Sequence, residues 1–367
     1  MALKVFPLKK VLSWYGRFER PISSVSLVGG FVFDFVTLTR VDMFLENFWV
    51  VSRLVLVAAL IVFINLRENE GEDVMNPGQT HFWLMTTLQF FFGGILGTYL
   101  VFYFRSGTLL ASWPFFVILA GAFLANERLK RHYQRLVFQI SFLFLSIMLF
   151  AIYFVPVLLH KIGDGVFILS GLASLAVIWI FLFILKYFTR ERFSKSRNLL
   201  FVSILGIFIS VNTLYFFNLI PPLPLSLKDA GVYQSFVING PGKYTVKYED
   251  QGRFGFLQLY EDIHLMPGAP LYAYSAIFSP AYFNTDMIHE WQYYNETTKM
   301  WVTKNRIILP VTGGRERGYR TFSVEQDLIP GKWKVSVETS GNQVIGQLFF
   351  NVILADTEPT LITREIN

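Results

Sequence analysis

The 367-residue sequence has no cysteine and little charge. Only 16% of its residues are Asp, Glu, Lys or Arg, against about 25% in an ordinary soluble domain. The first absence excludes a disulfide-built secreted module and any thiolate metal or redox centre. The second makes a water-soluble enzyme a poor fit. The chain also has no Gly-x-Ser-x-Gly elbow, no phosphate-binding loop and no dinucleotide fingerprint. Its five histidines are His81, His132, His160, His264 and His289, and no two stand at metal-ligand spacing. No catalytic set, metal site or cofactor is therefore expected. What the chain does have is apolar surface: 53% hydrophobic residues, with 39 Phe, 17 Tyr and 8 Trp. That content excludes a disordered chain.

The net charge of +6 is unevenly placed. Residues 1–221 hold 19 Lys and Arg against 11 Asp and Glu, a net of +8, while residues 222–367 hold 13 against 15, a net of −2. The first half also holds every long apolar run. A helical span needs about 20 mainly apolar residues. Seven stretches qualify, near 22–39, 47–66, 81–104, 108–126, 136–158, 165–187 and 198–220. The first is short and contains Asp34. If it only re-enters the membrane, the count falls to six. Seven spans put the basic segments 1–21, 127–135 and 186–197 on one side. The opposite loops offer only Arg40, Arg105 and Lys161. By the positive-inside rule the basic side is cytoplasmic. The excess charge then faces anionic lipid, and no basic stripe on a soluble module calls for nucleic acid. Residues 1–21 alternate apolar side chains with Lys4, Lys9 and Lys10, as in a short amphipathic segment on the inner surface.

The second half reads differently. A Pro-rich linker is expected over 221–232, an antiparallel β-sandwich over 233–356 and a tail over 357–367. Strand-like segments lie near 233–239, 243–250, 255–263, 271–279, 287–294, 300–308, 319–325, 332–339 and 343–354, with Gly and Pro turns between them. The predicted fold is thus an all-α membrane bundle of about seven helices followed by an all-β domain on the outer side.

Two places carry candidate chemistry. Asp34 and Arg53 fall at similar depth in antiparallel spans, and an intramembrane ion pair would relieve the cost of each charge. Gly93 and Gly97 form a small-residue step suited to close helix packing. In the outer half, Arg315, Arg317 and Arg320 follow a Gly-Gly turn with Tyr319 among them. His289 and Trp291 stand two apart on one strand. Arginines with an aromatic suit carboxylate, phosphate or sugar. A shallow partner site built from His289, Trp291, Arg315, Arg317, Tyr319 and Arg320 is one reading. The other places Trp291 and Trp333 in the core and pairs the arginines with Glu290, Glu316 and Glu325.

Segments 33–42, 92–94, 103–106 and 125–128 of the first half resemble a family of uncharacterised bacterial polytopic membrane proteins. Segments 272–280, 289–291, 313–321, 331–339 and 346–352 of the second half resemble that family's C-terminal domain of unknown function. The resemblance implies a bundle in a bacterial cytoplasmic membrane with an immunoglobulin-like domain outside. It brings no activity and no catalytic residue. The expected function is a binding or scaffold subunit whose outer domain docks a protein, a membrane complex or an anionic polymer. A transporter or lipid-substrate enzyme would need a polar cavity between spans. A receptor would need a separate cytoplasmic partner.

Overall fold

The computed structural model describes residues 31–32, 34–38, 40–69, 79–128, 136–240, 242–252 and 258–366. The expected inner-surface segment and most of the first expected span lie outside these residues. Residues 34–37 are helical. Six longer helices follow: α1 (Phe44–Asn69), α2 (Gln79–Ser106), α3 (Leu109–Arg128), α4 (Leu136–Leu159), α5 (Asp164–Phe188) and α6 (Arg190–Phe216).

Among the described residues, α1, α2, α4, α5 and α6 are long and apolar enough to cross a bilayer. In α3 the backbone departs from helical geometry at Ser112, two residues before Pro114. The missing Pro N–H and its ring explain a kink there. The sixth helix begins earlier than expected. Thr189 alone separates α5 from α6, so Arg190, Arg192, Lys195 and Arg197 stand on the first turns of α6 and not in a loop. The helices expose large apolar side chains. On α5, Ile180, Phe183 and Tyr187 are 62%, 77% and 81% exposed, a surface that suits lipid and not water.

The described chain forms two compact units. The first comprises Met1–Phe102, Phe116–Ala151 and Gly171–Val211 and holds most of the helical length. Its core includes Val57, Ile61 and Ile64 of α1, Leu88, Phe92 and Ile95 of α2, and Ile140, Phe144 and Met148 of α4.

The second unit comprises Tyr103–Phe115, Ile152–Ser170 and Asn212–Asn367. It joins the α2–α3 and α4–α5 turns to eleven strands. These are β1 (Ser226–Tyr233), β2 (Ser235–Gly240), β3 (Lys243–Glu249), β4 (Glu261–Leu265), β5 (Leu271–Phe278), β6 (Asn284–Asn295), β7 (Met300–Thr312), β8 (Tyr319–Glu325), β9 (Gly331–Thr339), β10 (Val344–Leu354) and β11 (Leu361–Ile366). They make three sheets, ordered β1-β5-β8, β4-β10-β9-β6-β7 and β11-β3-β2. Every pairing is antiparallel except β10 with β4. That one parallel contact is made without a helix in the connection, so the helical signal that normally announces it is missing.

Two of the sheets share a core. Leu271 and Ala273 of β5 meet Trp291 of β6, Trp333 and Val335 of β9 and Phe350 of β10, all buried. The alternation in Lys332–Glu338 explains the choice of face, since every second residue turns inward. The third sheet lies on the outer side of β1-β5-β8 over a layer of rings. There Phe236 stacks on Phe322 at 4.4 Å, and Tyr233, Tyr244 and Tyr274 complete the cluster.

Two expected boundaries are corrected. The linker 221–232 contains β1, paired along β5 from Ser226 to Tyr233. The tail 357–367 contains β11, paired along β3. Both strands draw their order from a neighbouring strand and not from their own alternation: β11 buries only Ile366.

Candidate functional site

The arginine cluster sits in the turn between β7 and β8. Gly313 donates its N–H to the carbonyl of Phe283 at 2.7 Å, and Gly314 donates to Ser279 at 3.0 Å. The end of β7 is thereby tied to the β5–β6 connection. A Cβ on Gly313 would stand 1.8 Å from the Pro280 oxygen, so only glycine fits. At the other end Gly318 has φ +87° and donates to Arg315 O at 3.0 Å. A Cβ there would meet the Ala276 backbone at 2.9 Å. The two glycines fix both ends of the turn that carries Arg315 and Arg317.

Each arginine is then placed by a different contact. The Arg315 guanidinium lies over the Tyr319 ring, 4.8 Å from its centroid. Arg320, on β8, donates to the carbonyl of Gly242 between β2 and β3. Gly242, Lys243, Arg315, Glu316, Arg317, Gly318 and Arg320 line an open depression of about 430 Å³. Four cationic side chains face one carboxylate. Lys243, Arg315 and Arg317 are exposed, so they can meet a ligand without opening the domain. Lys243 was not singled out by the sequence, because its partners in the depression stand more than 70 positions away.

His289 and Trp291 lie elsewhere. Both are 0% exposed. Alternation along β6 turns the pair inward, and two serines satisfy their polar atoms. His289 Nε2 is 2.8 Å from Ser275 Oγ, and His289 Nδ1 is 2.8 Å from Ser323 Oγ. Trp291 Nε1 donates to the same Ser323 oxygen at 2.9 Å. Burial pushes the His289 pKa down to about 4, so it is neutral at pH 7 and acts as a core hydrogen-bonding group. The expected joint surface is therefore corrected to a surface depression and a separate buried network. Of the glutamates expected to pair with the arginines, Glu290 faces Arg306 at 3.6 Å and Glu325 accepts from Asn305 at 3.2 Å.

A second polar cluster surrounds Glu338. It is 4% exposed, and its pKa rises to about 8, through burial first and then through neighbouring Glu290. Burial also lowers the pKa of nearby Lys334.

In the helical unit Arg53 Nη1 stands 3.9 Å from Asp34 Oδ2. It donates to Gly94 O and to Thr98 Oγ1, each at 3.0 Å. Thr98 Oγ1 is in turn 3.3 Å from Asp34 Oδ2. Gly94, one residue beyond the expected Gly93, is where α2 receives the guanidinium: a Cβ there would meet Arg53 Nη1 at 3.2 Å. Gly97 lies against Phe123, 3.4 Å from the position of an added Cβ. Asn65 donates to Gln139 at 2.8 Å. Gln89 and Asn126 exchange bonds through each other's backbone carbonyls at 2.6 and 3.1 Å. No group of three or more metal-ligating side chains occurs among the described residues.

A family described as a protein of unknown function, DUF2914, matches residues 284–352. This stretch runs from the first residue of β6 into β10 and contains the whole arginine turn. No curated protein matches the chain. Among solved structures, a β-glucosidase from Listeria innocua in complex with gluconolactone is 13% identical with a TM-score of 0.19, over 34% of this chain and 16% of its own. The Pseudomonas fluorescens alkylpurine DNA glycosylase AlkC, bound to DNA containing an abasic site analog, is 10% identical with a TM-score of 0.22, over 84% of this chain and 98% of its own. Thus the chain spans 16% of the length of the first of these. Scores this low bear neither on the fold nor on the function.

Proposed function

We propose that this chain is a membrane-anchored binding subunit of the bacterial cell envelope. Its helices, seven with the N-terminal span counted, hold it in the cytoplasmic membrane. Its strands form an immunoglobulin-like sandwich on the outer side. The depression beside β8 docks an anionic partner there, a polymer or an acidic protein surface.

The observation that carries this reading is the convergence of Lys243, Arg315, Arg317 and Arg320 on one open depression. Arginine forks bind carboxylate and phosphate bidentately, and the two glycine anchors hold them without a loop to order on binding. The orientation draws support from the second unit. It gathers the α2–α3 and α4–α5 turns with the strands, and these turns carry few positive charges, as outer loops do. An anchoring role for the helices draws support from their polar groups, which bond to one another or to backbone carbonyls. That is the chemistry of helix association.

The test uses the full chain in lipid nanodiscs, titrated with fluorescent polyglutamate and with polyphosphate. Arg315→Ala with Arg317→Ala should weaken binding of at least one probe about tenfold or more, the scale of one or two lost charge-assisted hydrogen bonds. Added salt should weaken the wild type more than the variant. Equal affinity and equal salt dependence would remove the depression from the function.

A further inference from the structure

The arginine turn lies at the end of the second unit where the apolar helices arrive. The chain leaves α6 at Phe216 and enters β1 at Ser226. Between them Pro221 packs on the α2–α3 turn, where a Cβ on Gly107 would stand 2.7 Å from the proline ring. Leu227 of β1 then pairs with Ile277 of β5, and Ile277 with Tyr319 of β8. Tyr319 is thus two strand spacings, about 10 Å, from the strand that α6 feeds. Ile162, in the α4–α5 turn, packs on the buried cluster of Leu225, Ile277 and Val311, and so does Tyr319. The ring beneath the Arg315 guanidinium and a residue of a helical hairpin therefore rest on one core.

The β5–β6 connection closes the remaining gap. His160, just past the end of α4, meets the rings of Tyr282 and Phe283 at 5.8 and 6.0 Å between centroids. Phe283 O accepts the Gly313 N–H, and Arg315 follows two residues later. The side chains around this contact have the composition of a bilayer border. Leu158 and Leu159, at the end of α4, are 63% and 41% exposed, and Tyr282 is 85% exposed. Lys161 is exposed beside them. A lone exposed ring needs no explanation. A ring that adjoins the outward leucines of a span's end and a lysine suits the headgroup layer, which takes its apolar body and its hydroxyl together.

The shape of the depression agrees. It is open, so it encloses a small free ion poorly but admits a headgroup still attached to its bilayer. Confinement to the membrane plane also raises the local concentration of such headgroups, so that a few contacts suffice for occupancy. Arg315, Arg317 and Lys243 are exposed at this site, and basic side chains near an anionic surface are drawn to it.

We infer that the depression holds the phosphate of a membrane lipid, with Arg315, Arg317 and Lys243 around the phosphate and Tyr282 among the neighbouring headgroups. The inference rests on the anion-binding chemistry argued above and assigns that chemistry to a lipid-borne phosphate.

The test has two arms on the full chain. In the first, bimane is attached to Tyr282→Cys, the only thiol in a chain without cysteine. The protein is placed in phosphatidylcholine nanodiscs in which a tenth of the lipid carries a headgroup nitroxide. Bimane on Thr297→Cys, beyond the far end of the 12-residue β6, about 40 Å away, is the control. Quenching should be strong at 282 and weak at 297. Quenching at 282 no greater than at 297 overturns the inference. The second arm compares dioctanoylphosphatidylglycerol with sn-glycerol 3-phosphate as ligands in mild detergent. The lipid should bind at least tenfold more tightly than the free phosphate. Arg315→Ala with Arg317→Ala should weaken the lipid at least tenfold, and Tyr282→Ala should weaken the lipid but not glycerol phosphate. Lipid binding that the arginine variant leaves intact overturns the inference. Glycerol phosphate that binds as tightly as the lipid also overturns it, while leaving an anion site in place. Loss of the anion site itself would show separately, as polyglutamate and polyphosphate binding that the same arginine variant does not change.

Discussion

Single side chains in this protein are set more by what surrounds them than by their own chemistry. Glu338 shows it on the β domain. Its folded pKa is raised from 4.5 to about 8, so between those values the folded chain holds a proton that the unfolded chain has lost. Stability therefore falls as pH rises through that window. Glu338→Gln should remove this slope and stabilise the domain at pH 8 by roughly 1–3 kcal/mol, the cost of a buried unpaired polar group. Below pH 4.5 it should change little. Thermal melts across pH 4–9 would check this, and a variant whose slope matched the wild type would place the titration elsewhere. The arginine turn, by contrast, was legible from the sequence, because Gly313, Gly314 and Gly318 bracket it and a glycine bracket reports backbone geometry directly. The burial of His289 and Trp291 was not. Spacing two apart says that they share a face but not which face. What settles it is a pair of inward-facing serines, Ser275 on β5 and Ser323 on β8, which pair with the His289 ring nitrogens.

Between elements, the α1–α2 clamp is the feature with the most specific geometry. Arg53 reaches Gly94 O, Thr98 Oγ1 and Asp34 Oδ2, and the acid is the most distant of the three. Arg53→Met should therefore cost more than Asp34→Asn, by roughly 1–3 kcal/mol, because it removes the donor to Gly94 O and Thr98 Oγ1 and also leaves Asp34 without its cation. Thermal unfolding in mild detergent would rank the two, and the reverse order would make the ion pair dominant. The long helices were readable from apolar runs alone, since a bilayer leaves few other structures open to the chain. The limits were local. Charge at 190–197 reads as a loop, although Thr189 suffices to turn the chain and restart a helix. Prolines and charges around 221–232 hid β1, whose order comes from pairing with β5. Edge strand β11 was hidden for the same reason, its alternation being solvated on both faces.

At the scale of the whole chain, the split of charge between +8 and −2 matches a change of architecture from helices to strands at about residue 220. Two proposals concern the second part: it lies outside the cytoplasmic membrane, and its arginine depression holds an anion. The chain has no cysteine, so a single Glu316→Cys substitution places one thiol in that depression. Labelling this thiol in intact spheroplasts with a membrane-impermeant maleimide, with and without polyglutamate, reads both claims at once. Rapid labelling from outside and clear slowing by the polyanion are the expected results. Labelling only after the membrane is permeabilised, or a rate that the polyanion leaves unchanged, would contradict them.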